Sequence, residues 1–170
     1  MFKNTIFRRM TALVLTLALA AAAALPGLAV YPMPIQTASE TEAVYLFNAD
    51  TGKTILNQNA GQQQYVASLT KLMTALLLLE SGKDLNGEVT VPTALTQEFR
   101  DIQNANGTTM GLRIGETVRR IDLLNAMLIV SANDAASVIA YDVGGSMLDF
   151  VKQMNARAQE LGCTGTNFTC

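Results

Sequence analysis

Apolar and polar positions alternate along this chain with changing period, and the changes mark the elements. Ala43-Val44-Tyr45-Leu46-Phe47 reads as a strand, Asn48-Ala49-Asp50-Thr51-Gly52-Lys53 as a turn, and Thr54-Ile55-Leu56-Asn57 as a returning strand, which together predict a hairpin. A polar stretch from Gln58 to Gln64 leads into Val66–Glu80, VASLTKLMTALLLLE, where a helix is predicted to begin at Ser68 and to stop at Gly82. Its apolar residues surround nearly the whole circumference, which predicts a central helix buried on most sides. Lys83 to Gly115 is mixed, with a short strand at Glu88–Val91 ended by Pro92 and a Gly- and Asn-rich loop at 104–107. Thr117 to Val130 returns to helical spacing through Val118, Ile121, Leu124, Met127 and Leu128. Ser131-Ala132-Asn133 interrupts that pattern, Asp134 favours a new helix N-terminus, and Gly144-Gly145 closes it. A last helix opens at Ser146 or Met147 and reaches Leu161 before Gly162.

Composition places the chain among globular proteins: 170 residues, 49% hydrophobic and 15% charged, are too apolar for disorder and amount to about one domain. Part of the apolarity belongs to residues 1–29, which have the layout of a secretory signal peptide. Lys3, Arg8 and Arg9 lead, an uncharged run from Met10 to Leu25 follows, and Gly27-Leu28-Ala29 offers small residues at a cleavage spacing. The run is shorter than the roughly 20 residues that span a bilayer, so export is the expectation and an uncleaved membrane anchor the alternative. Residues 30–42, with Pro32 and Pro34, read as a flexible leader. Removing residues 1–29 takes three of the 12 Lys and Arg and none of the 14 Asp and Glu, leaving nine against 14, a net charge of −5. Such a balance carries no electrostatic case for nucleic acid as a partner.

Candidate chemistry is narrowed by what the chain lacks. It contains no histidine, so Ser-His-Asp and Cys-His nucleophiles and imidazole zinc sites are excluded, and two cysteines alone do not build a four-ligand metal site. No cofactor is expected. A serine nucleophile in this chain needs lysine as its base. Ser68 and Lys71 lie three apart, a spacing that puts both on one helix face about 5–6 Å apart at Cβ, and a helix N-terminus adds free N–H groups that favour an oxyanion. Lowering a lysine from about 10.4 to ~8 takes roughly 3 kcal/mol of desolvation or repulsion, within reach of partial burial. The same spacing has a plain structural reading, a helix-capping serine and a solvated lysine, and arises by chance about once in a chain of this length. Ser131 and Asn133, some sixty residues on, could face the same cleft as a proton shuttle and a carboxamide for a substrate backbone, or simply cap helices.

The segments ASLTKLMTA, SANDAA and FVKQMNARAQELG, in this order and spacing, resemble the serine D-alanyl-D-alanine carboxypeptidases, low-molecular-weight penicillin-binding proteins of the peptidase S11 type, over residues 43–169. The resemblance implies an α/β fold of the β-lactamase/DD-peptidase type, helices packed on an antiparallel sheet, with residues 43–170 as a partial catalytic domain. It implies Ser68 as the acylated nucleophile, Lys71 as its proton acceptor, Ser131 as a proton relay and Asn133 as a substrate-binding residue. The implied partners are the peptidoglycan stem pentapeptide and β-lactam antibiotics that acylate the same serine; the implied location is the extracytoplasmic cell envelope. The family's third motif, Lys-Thr-Gly, occurs nowhere in the sequence, so the chain is expected to be an incomplete fragment, truncated before the C-terminal strands. A hairpin left alone at residues 44–57 would be marginal and aggregation-prone. A serine β-lactamase and a non-catalytic envelope protein are the alternatives; Ser131-Ala132-Asn133 departs from the Ser-Asp-Asn form of one major β-lactamase class. Asp134 reads as a first-turn carboxylate, Arg113 and Glu116 as solvated charges, and the pairing of Cys163 with Cys170 stays open.

Overall fold

The computed structural model describes residues 39–169, which divide into two compact units, one ending at Ala60 and the other beginning at Gly61. The predicted signal peptide and leader up to residue 38 lie outside the described residues, as does Cys170; Cys163 is exposed. No helix among the described residues is long and apolar enough to cross a membrane.

The first unit is the predicted hairpin. Strands β1 (Val44–Asn48) and β2 (Lys53–Gln58) pair antiparallel, with an irregularity in register between Leu46 and Phe47. The Asn48 carboxamide oxygen accepts from Thr51 N at 2.9 Å, and Gly52 takes φ +67°, so the side-chain cap and the glycine that define the turn are those the sequence displays. The rings of Tyr45 and Phe47, two apart and on one face of the strand, stack with centroids 6.3 Å apart.

The second unit contains α1 (Thr70–Glu80), β3 (Glu88–Thr90), α2 (Thr96–Asn104), β4 (Thr117–Arg119), α3 (Arg120–Ile129), α4 (Asn133–Gly144) and α5 (Met147–Glu160). Strands β3 and β4 form a two-stranded antiparallel sheet, Val89 opposite Val118. Three expectations are corrected here. The central helix is α4, not α1: α4 buries Asp134, Ala135, Ser137, Val138, Ile139 and Ala140, and packs against α1, α2, α3 and α5. Its alanines let neighbouring backbones approach on several sides, whereas α1 buries Thr74, Ala75 and Leu78 and leaves Leu72 and Leu79 more than half exposed. Residues 117–119 are strand rather than the start of a helix, because β-branched Thr117 and Val118 find a partner strand at 88–90. And α2 lies inside the stretch that looked mixed; with Arg100 and Asp101 on its surface, its only apolar residues are Phe99 and Ile102, too narrow a stripe to signal a helix.

The core is continuous from Leu78 of α1 through Leu95, Leu123 and Met127 to Val138 and Ile139 of α4. Around Phe150, Met154 and Ala140, a second cluster joins α4 to α5. At the α4–α5 corner Gly145 adopts φ +76°, and Ser146 caps α5 by accepting from Asp149 N at 3.0 Å. Arg120 makes a two-pronged ion pair with Asp142 at 2.7 and 3.0 Å, both side chains largely buried. Burial alone would raise the Asp142 carboxyl, but the hydrogen bonds and charge of Arg120, with Lys83 beside it, hold it below the usual range.

The tightest joint is at Gly144. A Cβ there would stand 2.6 Å from Phe150 Cβ and 2.8 Å from its Cα and N, so backbone must move to accept it. Gly144→Ala is expected to destabilise the protein by about 2 kcal/mol through overpacking, read as a lower denaturation midpoint in urea; an unchanged midpoint contradicts this packing.

Candidate active site

Ser68 does not open α1 as the sequence suggests but sits in the 3₁₀ turn Ala67–Leu69 immediately before it. Ala67 takes a left-handed φ of +45°, so regular helix does not extend back through that residue. Lys71 follows in the first turn of α1, and its Nζ stands 3.4 Å from Ser68 Oγ. The pairing expected from the i,i+3 spacing is therefore present, through a tighter turn than expected.

Ser131 and Asn133 arrive from the junction of α3 and α4. Ser131 also has a left-handed backbone, φ +61°, which ends α3 and turns its hydroxyl toward α1. Ser131 Oγ donates to Ser68 Oγ at 2.8 Å, and Lys71 Nζ donates to Ser131 Oγ at 3.2 Å and to Asn133 Oδ1 at 2.7 Å. All four residues singled out in the sequence are thus one hydrogen-bonded cluster. The ammonium's three protons meet three neutral acceptors. Among the described residues no carboxylate lies in ion-pair range of Lys71, and burial pushes its pKa below the ordinary lysine value.

A cavity of about 360 Å³ opens beside the cluster, lined by Ser68, Lys71 and Ser131 with Leu69, Leu72 and Leu128 among its apolar walls. A separate cavity of about 520 Å³ lies over Gly111, Arg113, Ile114, Gly115 and Glu116 and contains none of the four. Arg113 and Glu116, read as solvated charges, are linked locally, Arg113 N donating to Glu116 Oε2 at 3.0 Å.

Two contributors escaped sequence reading. Thr108 presents its carbonyl oxygen to Asn133, accepting from its backbone N at 2.8 Å and from Nδ2 at 3.1 Å. Asp134 does stand in the first turn of α4, but its buried carboxylate reaches across to the backbone N–H groups of Met110, Gly111 and Leu112, each at 3.0 Å. A backbone carbonyl leaves no trace in sequence; the adjacency of Asn133 and Asp134 was the one available sign.

The same arrangement of elements occurs in solved DD-peptidases. The DD-transpeptidase of Streptomyces K15 superposes with a TM-score of 0.66 at 29% identity, over 74% of this chain and 49% of that one. Penicillin-binding protein 5 of Haemophilus influenzae gives a TM-score of 0.59 at 32% identity, over 69% of this chain and 34% of that one. The fold is that of the DD-peptidases. The model of the peptidase S11 family, D-alanyl-D-alanine carboxypeptidase, matches residues 32–170, and the chain belongs to that family. Among curated relatives, the D-alanyl-D-alanine carboxypeptidase DacF of Bacillus subtilis is 33% identical over 136 residues, 78% of this chain and 33% of the relative. The D-alanyl-D-alanine endopeptidase of Pseudomonas aeruginosa is likewise 33% identical, over 80% of this chain and 42% of the relative. The chain spans about a third to two-fifths of the length of these curated relatives.

The strained turn at Ala67 is open to test, since this residue is exposed and its methyl group packs against little. Ala67→Gly is expected to stabilise the protein by about 0.5 kcal/mol, the relief of left-handed strain exceeding glycine's added freedom in the unfolded chain. Chemical denaturation measures it, and a loss of stability would contradict the strained turn.

Proposed function

We propose that the gene product holding these residues is a serine D-alanyl-D-alanine carboxypeptidase that acts on peptidoglycan stem peptides and is acylated by β-lactams. The observation that carries this reading is the single contact cluster of Lys71 with Ser68, Ser131 and Asn133. Ser68 Oγ attacks the carbonyl carbon of the penultimate D-alanine. Its proton passes to neutral Lys71 Nζ, directly or through Ser131, whose hydroxyl lies 2.8 Å from Ser68 and 3.2 Å from the amine. As the amide C–N bond breaks, that proton moves to the departing D-alanine nitrogen, and an ester to Ser68 remains. Water then attacks the ester, gives a proton to Lys71, and frees Ser68 when the proton returns to its oxygen. Asn133 directs its carboxamide oxygen to Lys71, and its Nδ2, already donating to Thr108, has a second hydrogen for a substrate carbonyl.

The desolvation of Lys71 supports its role as base, because a lysine with a lowered pKa is neutral in a larger fraction of molecules near neutral pH. In a β-lactam the reacting amide is in a ring, so the leaving nitrogen stays tethered to the acyl group. Residues 1–29 are proposed to be a signal peptide directing export to the cell envelope, residues 30–42 a leader and residues 43–170 part of the catalytic domain, on the strength of the basic and apolar order at the N-terminus.

The test is labelling of the intact gene product with a fluorescent penicillin, followed by mapping of the modified peptide. Label on Ser68 is expected, with Lys71→Ala reducing the acylation rate by about 100-fold or more while the circular dichroism spectrum stays that of the parent. Label at another residue, or normal acylation of the Lys71→Ala variant, would sink the proposal. Rapid hydrolysis of the antibiotic rather than a persistent acyl-enzyme would identify a β-lactamase instead.

A further inference from the structure

The Asp134 carboxylate is 3% exposed, and no part of the proposed chemistry uses it. Its Oδ1 accepts from Met110 N at 3.0 Å and from Ala135 N at 2.9 Å, while Oδ2 accepts from Gly111 N and Leu112 N at 3.0 Å each. No cation pairs with it among the described residues, so its charge is met by backbone dipoles. The preceding residue makes the reverse connection: Asn133 N and Nδ2 both donate to Thr108 O. Residues 108–112 and 133–134 are therefore fastened in both directions, two bonds running from helix to loop and three from loop to helix. Gly107 closes the joint, because a Cβ there would lie 3.1 Å from Asn133 Nδ2 and 3.0 Å from Ile102 Cγ2.

The consequence falls on Asn133. Its carboxamide has a donor end and an acceptor end of nearly equal shape, and rotation by half a turn would point N–H groups at the Lys71 ammonium. The Thr108 carbonyl accepts only, so while it stays in place the amide is held with Nδ2 toward the loop and Oδ1 toward Lys71.

We propose that Asp134 is a positioning residue: by clamping loop 108–112 against the start of α4, it fixes the orientation in which Asn133 presents Oδ1 to Lys71. Its effect on reaction rate rests on the function proposed above; its effect on Asn133 does not.

The experiment uses the intact gene product labelled with ¹⁵N, and the variants Asp134→Asn and Asp134→Ser. Asparagine keeps the volume but replaces one carboxylate oxygen by an NH₂ group facing N–H donors. Hydrogen exchange at Met110, Gly111 and Leu112 is expected to quicken by about tenfold or more, with displacement of the Asn133 side-chain NH₂ signals from their parent positions. Acylation by a fluorescent penicillin should slow by about 10- to 100-fold at unchanged overall fold. Faster loop exchange with the Asn133 signals unmoved would overturn the proposal, since Asp134 would then serve the loop alone; so would unchanged exchange. Should Asp134→Asn not fold, Asp134→Ser decides, because its short hydroxyl leaves the N–H groups of residues 110–112 without their carboxylate acceptor: displaced Asn133 signals support the proposal and parent-like signals overturn it. A parent protein that takes no penicillin label defeats the carboxypeptidase reading, while the amide signals still decide the role of Asp134.

Discussion

The arrangement of this protein turns on one cation surrounded by dipoles. Lys71 Nζ is removed from part of its water and receives in return two hydroxyls and a carboxamide, but no carboxylate among the described residues. The Arg120–Asp142 pair in the same unit is the useful contrast. There a full negative charge offsets burial and keeps both partners ionised. Neutral acceptors compensate a partly buried ammonium only in part, so the protonated form of Lys71 is less favoured than in water. An amine so placed can give up its proton near a hydroxyl, which is the property the proposed chemistry needs.

Bringing those acceptors together requires two segments sixty residues apart to meet, and the packing serves that end. Central α4, rich in alanine, lets α1 and α3 approach closely enough for Ser131 and Asn133 to reach Lys71. Left-handed residues bound regular helix at both hydroxyl-bearing segments, Ala67 ahead of α1 and Ser131 after α3. Each such residue costs on the order of 1 kcal/mol, offset by the surrounding core. Local strain and a desolvated lysine thus occupy the same few ångströms, as expected where a fold gives up stability for reactivity.

How much of this was legible in the sequence depends on where the information resides. Ser68 and Lys71 were legible because helical periodicity fixes which side chains share a face, and the absence of histidine left lysine as the candidate base. Ser131 and Asn133 were legible as a polar break between apolar helices. The hairpin, the glycine stops and the capping serine at 146 were legible too, since each depends on local backbone chemistry. What escaped was decided by partners distant in sequence. Residues 117–119 pair with 88–90, α1 yields the centre of the unit to α4, and Asp134 spends its carboxylate on a loop twenty-odd residues earlier rather than on its own helix. Thr108 acts through a backbone carbonyl, which side-chain identity does not encode.

The central claim is that Lys71 is held in a setting that disfavours its charge. Its most direct test is a pH titration of the intact protein carrying ¹³C-labelled lysine, with the Lys71 Cε signal assigned by its absence in a Lys71→Arg variant. The account predicts a midpoint below the ordinary lysine value of 10.5. A Lys71 midpoint at or above 10.5 would show that the three acceptors outweigh burial and keep the ammonium charged, and the account of this site as a serine paired with a lysine base would be wrong.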